Sequence, residues 1–141
     1  MSLNGSTNEE KIWNYLKAKG LPDCGIAGLM GNLYAESCLI PTNLQNSYEK
    51  TLGFTDAAYT AAVDKGTYQN FVKDSAGYGL AQWTYWSRKK NLLDFAKKKG
   101  KSIGDLEMQL DFLWNELQGY KAVISALKRR RPCGLLPTAY L

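Results

Sequence analysis

Glu36 is the residue of this chain best placed to hold a proton for use. It ends a run in which Ile26, Leu29, Met30 and Leu33 recur at helical spacing, following Leu29 by seven residues and Leu33 by three. At about 100° per residue its side chain projects close to that apolar stripe. A carboxyl packed against aliphatics is desolvated, which favours its neutral, proton-bearing form. A general acid needs that form near neutral pH. The competing reading is a helix that stops early and leaves Glu36 in water, and spacing alone does not choose between the two. The 141 residues include no histidine. That excludes Ser-His-Asp and Cys-His hydrolases, His-based zinc sites and imidazole acid–base work, leaving carboxylates, Lys, Tyr or Cys.

A second stretch with chemical potential is 75–88, SAGYGLAQWTYWSR. Gly77 and Gly79 let backbone approach a ligand closely. Tyr78 and Trp83 offer flat faces, and Gln82 both donates and accepts. Stacked rings and amides suit sugars, whose apolar faces cover aromatics while their hydroxyl and N-acetyl groups are read at the edge. Tyr85 and Trp86 fit the same role. The alternative is a tight turn whose aromatics pack on the core.

The elements that must position these residues read as helices. Thr7 and Glu10 form a capping box ahead of Ile12, Trp13 and Leu16, with Gly20 as a stop. Pro22 and Asp23 open the helix that carries Glu36, which ends near Ser37 and before Pro41. The segment 42–50 reads as loop, and Thr55 caps a short helix stopped by Gly66. The segment 67–74 adds a turn or two. After the glycine loop come an amphipathic helix through Leu92, Leu93, Phe95 and Ala96 closed by Gly100, a helix from Asp105 with Leu106, Leu110, Leu113, Trp114 and Leu117 on one stripe, and a last one over 120–130. No period-two strand and no internal repeat occur. The expectation is all-α, one domain, five to seven helices. Its parts are an N-terminal extension over 1–7, a catalytic domain over 8–130 and a poorly ordered tail over 131–141.

Hydrophobic content of 45% supports a core, and a net charge of +5 suits polyanionic surroundings. Basic residues are spread over several segments rather than gathered on one helix, so nucleic acid is not the expected partner. No apolar run approaches the roughly 18 residues of a spanning helix, so no membrane insertion is expected. The N-terminus lacks the basic-then-apolar pattern of a signal peptide. The three cysteines, Cys24, Cys38 and Cys133, form no C-x-x-C pair. Free thiols are the expectation, with a Cys24–Cys38 bridge conceivable. The run 128–131 reads as a solvated, basic helix end.

The order "AES" at a helix end, a proline-bearing loop, then "SAGYGLAQWT", within AGLMGNLYAESCLIPTNLQN…DSAGYGLAQWTYWSRKKNLLDFAKKKG, resembles the phage tail lysozyme family. That family is related to goose-type lysozymes and lytic transglycosylases. The resemblance implies a lysozyme-like fold with a cleft between two helical lobes, and a small hairpin in some relatives. It further implies a muramidase that cuts the β-1,4 bond between N-acetylmuramic acid and N-acetylglucosamine in bacterial peptidoglycan. Glu36 then corresponds to the catalytic acid, and Ser37 to the serine that fixes local geometry. Tyr78, Gly79, Gln82, Trp83 and Thr84 correspond to the groove-lining motif, with Asn46 a further substrate contact. No cofactor or metal is implied. The resemblance also implies a domain that is monomeric in isolation and belongs to a phage tail or a secreted wall lysin.

Position 38 is commonly glycine in such motifs and here is Cys38, which is tolerable at negative φ and strained at positive φ. For a second carboxylate, Asp74 before the glycine loop is the first choice to face the cleft and orient water, helped by an acid near this place in goose-type relatives. Glu49 is the second, while Asp56 and Asp64 read as surface charges. Carboxyls about 5 Å apart imply retention, and about 6.5–9.5 Å inversion. With no base, a lytic transglycosylase giving a 1,6-anhydro product is the alternative. An inactive glycan-binding domain is another.

Overall fold

The structure, a computed structural model, describes residues 3–129. These form seven helices: α1 Asn8–Ala18, α2 Asp23–Ser37, α3 Asn46–Leu52, α4 Asp56–Lys65, α5 Trp86–Lys99, α6 Leu106–Gly119 and α7 Lys121–Lys128. The all-α expectation holds. No strand occurs among the described residues, and in place of a hairpin there are two isolated bridges, Leu44 to Tyr78 and Tyr78 to Trp83. No described helix is long and apolar enough to cross a membrane. The tail over 131–141, with Cys133, lies outside the described residues.

Local signals set most helix ends. Thr7 Oγ1 accepts from the Glu10 amide while the Glu10 carboxylate accepts from the Thr7 amide, so the capping box forms. Thr55 and Asp105 cap α4 and α6 with their side chains alone, accepting from the Ala58 and Met108 amides, and Gly66 and Gly100 close α4 and α5 in the left-handed conformation. One expectation fails. The 42–50 segment is not all loop, because α3 begins at Asn46. This helix has seven residues, none buried, and no side-chain cap, so it carries none of the periodicity that marks the others.

The core joins α1, α2, α6 and α7, with α5 packed on α6. Ile12 and Leu16 of α1 meet Ile26, Leu29 and Leu33 of α2, and Leu110, Leu113 and Leu117 of α6 complete this side, all at most 2% exposed. Asn8 Nδ2 donates to the Leu39 carbonyl, tying the start of α1 to the chain just past α2. The Tyr15 hydroxyl donates to Asp111 Oδ1 at 2.6 Å, joining α1 to α6.

A second focus of packing is aromatic. Tyr59 on α4 lies within 6.0 Å, centroid to centroid, of Phe54, Tyr68, Phe71 and Tyr78. Tyr59 and Tyr78 are fully buried. Burial pushes both hydroxyls far above the ordinary tyrosine value, reinforced at Tyr59 by Asp74. In the unfolded chain both ionise near pH 10. Their stabilisation is therefore whole below pH 10 and is lost as pH rises beyond it, since the folded state then holds protons that the unfolded state has released. Lys89, pushed down by burial, adds no slope above its ordinary range near 10.4. The expected result is a stability that falls by at least about 3 kcal/mol per pH unit above pH 11, at roughly 1.4 for each of these two tyrosines. Tyr15 and Tyr68, also pushed up by burial and a carboxylate neighbour, steepen the fall. Urea unfolding between pH 9 and 12 measures it, and a flat profile would mean that the two rings are not buried.

Candidate active site

Glu36 stands in the last turn of α2 and is exposed. Its carboxylate has no bonded partner among the described residues. The expected desolvation against the apolar stripe is absent, and helix geometry gives the reason. Ile26, Leu29, Met30, Leu33 and Ser37 define the buried line of α2, and Glu36 falls about 75° to its side. The residue that completes the stripe is Ser37, 1% exposed. Its hydroxyl donates to the Leu33 carbonyl at 3.0 Å. Water reaches Glu36, so the protein alone does not supply the apolar surroundings expected from spacing.

The turn after Glu36 is unusual backbone. Cys38 has φ 55° and Leu39 φ 63°, two successive non-glycine residues in the left-handed region. The strain anticipated for positive φ at position 38 is therefore present. Leu39 is buried, 6% exposed, which anchors the turn, whereas Cys38 is exposed and its thiol is free. No Cys24–Cys38 bridge forms. Cys24 is disulfide-bonded, so the expectation of free thiols holds at Cys38 and not at Cys24. Because Cys38 loses no packing on truncation, Cys38→Gly is expected to stabilise the fold by about 1 kcal/mol. A rise in thermal midpoint checks this, and a fall would show that the thiol makes contacts worth more than the strain.

The loop that follows Asp74 is a tight turn packed on the core, the alternative to a sugar platform. Tyr78 is fully buried, its hydroxyl 2.5 Å from Thr60 Oγ1 and its ring against Tyr59 and Phe71. Trp83 is fully buried too, its indole N–H donating to Glu116 Oε1 at 2.9 Å and its ring edge-on to Phe112. Neither ring is available to a ligand, which corrects the stacking role expected for both. Their backbones pair in both directions, Tyr78 N–H to Trp83 O and Trp83 N–H to Tyr78 O. Gly79 turns the chain at φ 83° and leaves room for Gln109, whose amide nitrogen would stand 2.9 Å from any Cβ there. Gly79 is thus a packing glycine, not one bared for substrate.

Asp74 does not face a cleft. Its side chain is 1% exposed and ion-paired at 2.6 Å with Lys89, itself fully buried. The carboxylate also accepts from the Tyr59 and Tyr68 hydroxyls and the Ala76 amide. Every lone pair is engaged internally, so Asp74 is an anchor for the loop and not a base open to water. Burial pushes the Lys89 ammonium down from its ordinary value, against the pull of Asp74. Glu49, the second choice, is held above the ordinary carboxylate value by a hydrogen bond with Asp56. Asp56 and Asp64 are not idle surface charges either. Asp56 accepts from the Leu44 amide, and Asp64 from the Ile103 amide. Asn46 and Thr84 are exposed.

What joins the two stretches is Asn43. Its side chain donates to the Ser37 carbonyl at 3.0 Å. Its own carbonyl accepts from the Gly79 amide at 2.9 Å and from Gln82 Nε2 at 2.8 Å. Gln45 adds a reciprocal pair with Gly77. Gln109, fully buried on α6, takes the Leu80 amide on its oxygen and donates to the carbonyls of Pro41 and Ile103. Gln82 sits at φ 50° with its Nε2 committed to backbone. Its Oε1 lies over Gly77, where a Cβ would stand 2.8 Å from it, while Gln45 Oε1 is taken by the Gly77 amide and the exposed Thr84 donates its hydroxyl to the Gln82 carbonyl. Sequence reasoning missed Asn43, Gln45 and Gln109, which act mostly through backbone groups that carry no sequence signal. Lys89 was legible in principle, because it shares the azimuth of Leu92 and Ala96 at i, i+3 and i+7.

The sequence profile of the phage tail lysozyme family matches residues 7–133. No solved structure gives a significant match.

Proposed function

The chain belongs to the phage tail lysozyme family, a lysozyme-type, wall-lytic class, and from that premise we propose that it cleaves the glycan strands of bacterial peptidoglycan. Glu36 acts as general acid on the β-1,4 bond between N-acetylmuramic acid and N-acetylglucosamine. The observation that carries this reading is the Asn43 clasp. It fastens the turn beside an exposed, unpartnered carboxyl to the 75–84 loop, so acid and glycan-reading edge move as one unit. Since the protein leaves Glu36 wet, the bound strand must itself exclude water from the acid, a role that falls to substrate binding. Ser37 and Gly79 serve as scaffold, and Gln82 Oε1, Thr84 and Asn46 are the polar groups offered to the sugar. The domain works at a phage tail or at the outer cell wall, and no cofactor enters the scheme.

Hydrolysis is the primary reading, as the family's name implies. The burial of Asp74 favours a second one. With that carboxylate committed to Lys89, the glycosyl intermediate can close on its own hydroxymethyl group, giving a 1,6-anhydro end as lytic transglycosylases do. The hydroxymethyl proton returns to the Glu36 carboxylate left after the leaving oxygen is protonated. Mass spectrometry of fragments released from purified peptidoglycan separates the two. Reducing muropeptides mean hydrolysis, and products lighter by one water mean transglycosylation. A wall left intact would overturn the enzyme reading.

A further inference from the structure

Tyr85 and Trp86 are the aromatics of the loop segment that the interior does not claim. Tyr78 and Trp83 face inward, yet the two residues after Thr84 are 64% and 53% exposed. Their ring centroids lie 6.1 Å apart with planes inclined by 39°. Neither the Tyr85 hydroxyl nor the Trp86 indole N–H bonds to the described residues. The pair is nonetheless held in place. Tyr85 is the residue before α5 and Trp86 its first residue. In the same first turn of α5 Arg88 grips Glu116 through two hydrogen bonds, and Glu116 also takes the Trp83 N–H. The exposed rings are thus mounted on a rigid base, at the end of the loop that Asn43 ties to the Glu36 turn.

We propose that Tyr85 and Trp86 form a stacking platform for an N-acetylhexosamine ring of the glycan strand, outside the bond that is cut. This rests on the muramidase reading and assigns to that site a binding group in place of the buried Tyr78 and Trp83. A pyranose presents an apolar C–H face that covers an aromatic ring while its hydroxyls stay wet, so a half-exposed, fixed aromatic pair is the matching surface. The exposed Thr84 lies on the chain just before it, with its hydroxyl donated to the Gln82 carbonyl and its lone pairs left for ring substituents. Two side chains make a face of one or two sugar rings, far below the roughly 800 Å² per partner of a stable protein interface. That size argues for a saccharide and against a protein partner.

The test compares the wild-type chain with Tyr85→Ala and Trp86→Ala, using purified peptidoglycan for kinetics and a peptide-free N-acetylglucosamine oligomer for binding. The expected result is a KM raised about 10-fold by each substitution, with kcat and thermal midpoint little changed. Affinity for the oligomer should fall in parallel, and Trp86→Phe should remove most of the tryptophan fluorescence response to it. Unchanged KM and affinity in both alanine variants of a lytic protein would overturn the platform while leaving the muramidase reading intact. A loss on peptidoglycan without one on the peptide-free oligomer would overturn the sugar assignment in favour of the stem peptide. A wild-type chain that neither cuts nor binds would sink the muramidase reading, and this one with it.

Discussion

Glu36→Gln is expected to lower the wall-lytic rate by about 10²- to 10⁴-fold, the usual contribution of a positioned proton donor, while leaving the fold and glycan affinity in place. The side chain is exposed and bonded to nothing among the described residues, so the amide breaks no internal contact. It also removes a negative charge from the last turn of α2, which holds no basic residue and where the helix dipole disfavours an anion. The thermal midpoint should therefore hold or rise slightly as activity disappears. A residue whose loss costs activity and spares stability is one kept for function against the preference of the fold. Turbidity loss of a cell-wall suspension gives the rate, and oligosaccharide titration gives the affinity. Full lytic activity in the variant would move the acid role elsewhere, and joint loss of activity and folding would make Glu36 structural.

What sequence made legible was whatever is decided within a few residues. The Thr7–Glu10 capping box, the Thr55 and Asp105 caps and the glycine stops at 66 and 100 all formed where expected, because each is a local hydrogen bond or a local φ. The α3 helix was not legible, since it buries no side chain and has no apolar period to read. The acid itself was found by position, but its surroundings were misjudged by one residue. Glu36 and Ser37 differ by a single step on the helix, and that step separates water from core.

The loop shows the same limit at longer range. Tyr78 and Trp83 have the right types to stack on sugars. Whether they point outward depends on Thr60, Phe112 and Glu116, none of which is near in sequence. The clasp formed by Asn43 and Gln109 uses backbone carbonyls as partners, and these carry no residue identity to read. Local chemistry thus marked which segments matter, and non-local packing decided which atoms in them face a ligand.

Asp74→Asn is expected to destabilise the fold by about 3–5 kcal/mol, the cost of removing one partner of a buried ion pair, and to lower activity only through that loss. The Lys89 ammonium, fully buried, sits 4.2 Å from the centroid of the Phe71 ring and donates to Asp74 Oδ1 and the Ala76 carbonyl at 2.6 Å each. Without the carboxylate its buried charge is left uncompensated, with only neutral acceptors around it: the asparagine amide oxygen, the Ala76 carbonyl and the Tyr59 hydroxyl. Lys89→Met should cost less, because Asp74 keeps the Tyr59 and Tyr68 hydroxyls and the Ala76 amide as donors. The double variant should be more stable than the sum of the single losses predicts, since it leaves no lone charge, with a coupling of about 1–3 kcal/mol. Ala76 gives both its N–H and its carbonyl to this pair, so weakening the pair loosens the start of the 75–84 loop. Chemical denaturation of the three variants measures these values, and lytic assays well below the midpoint separate the two roles open to Asp74. If Asp74 were the catalytic base, Asp74→Asn would lower kcat with the midpoint unchanged, the pattern expected at Glu36. An anchor shows the reverse, a lowered midpoint with most of the kcat retained by the molecules that remain folded.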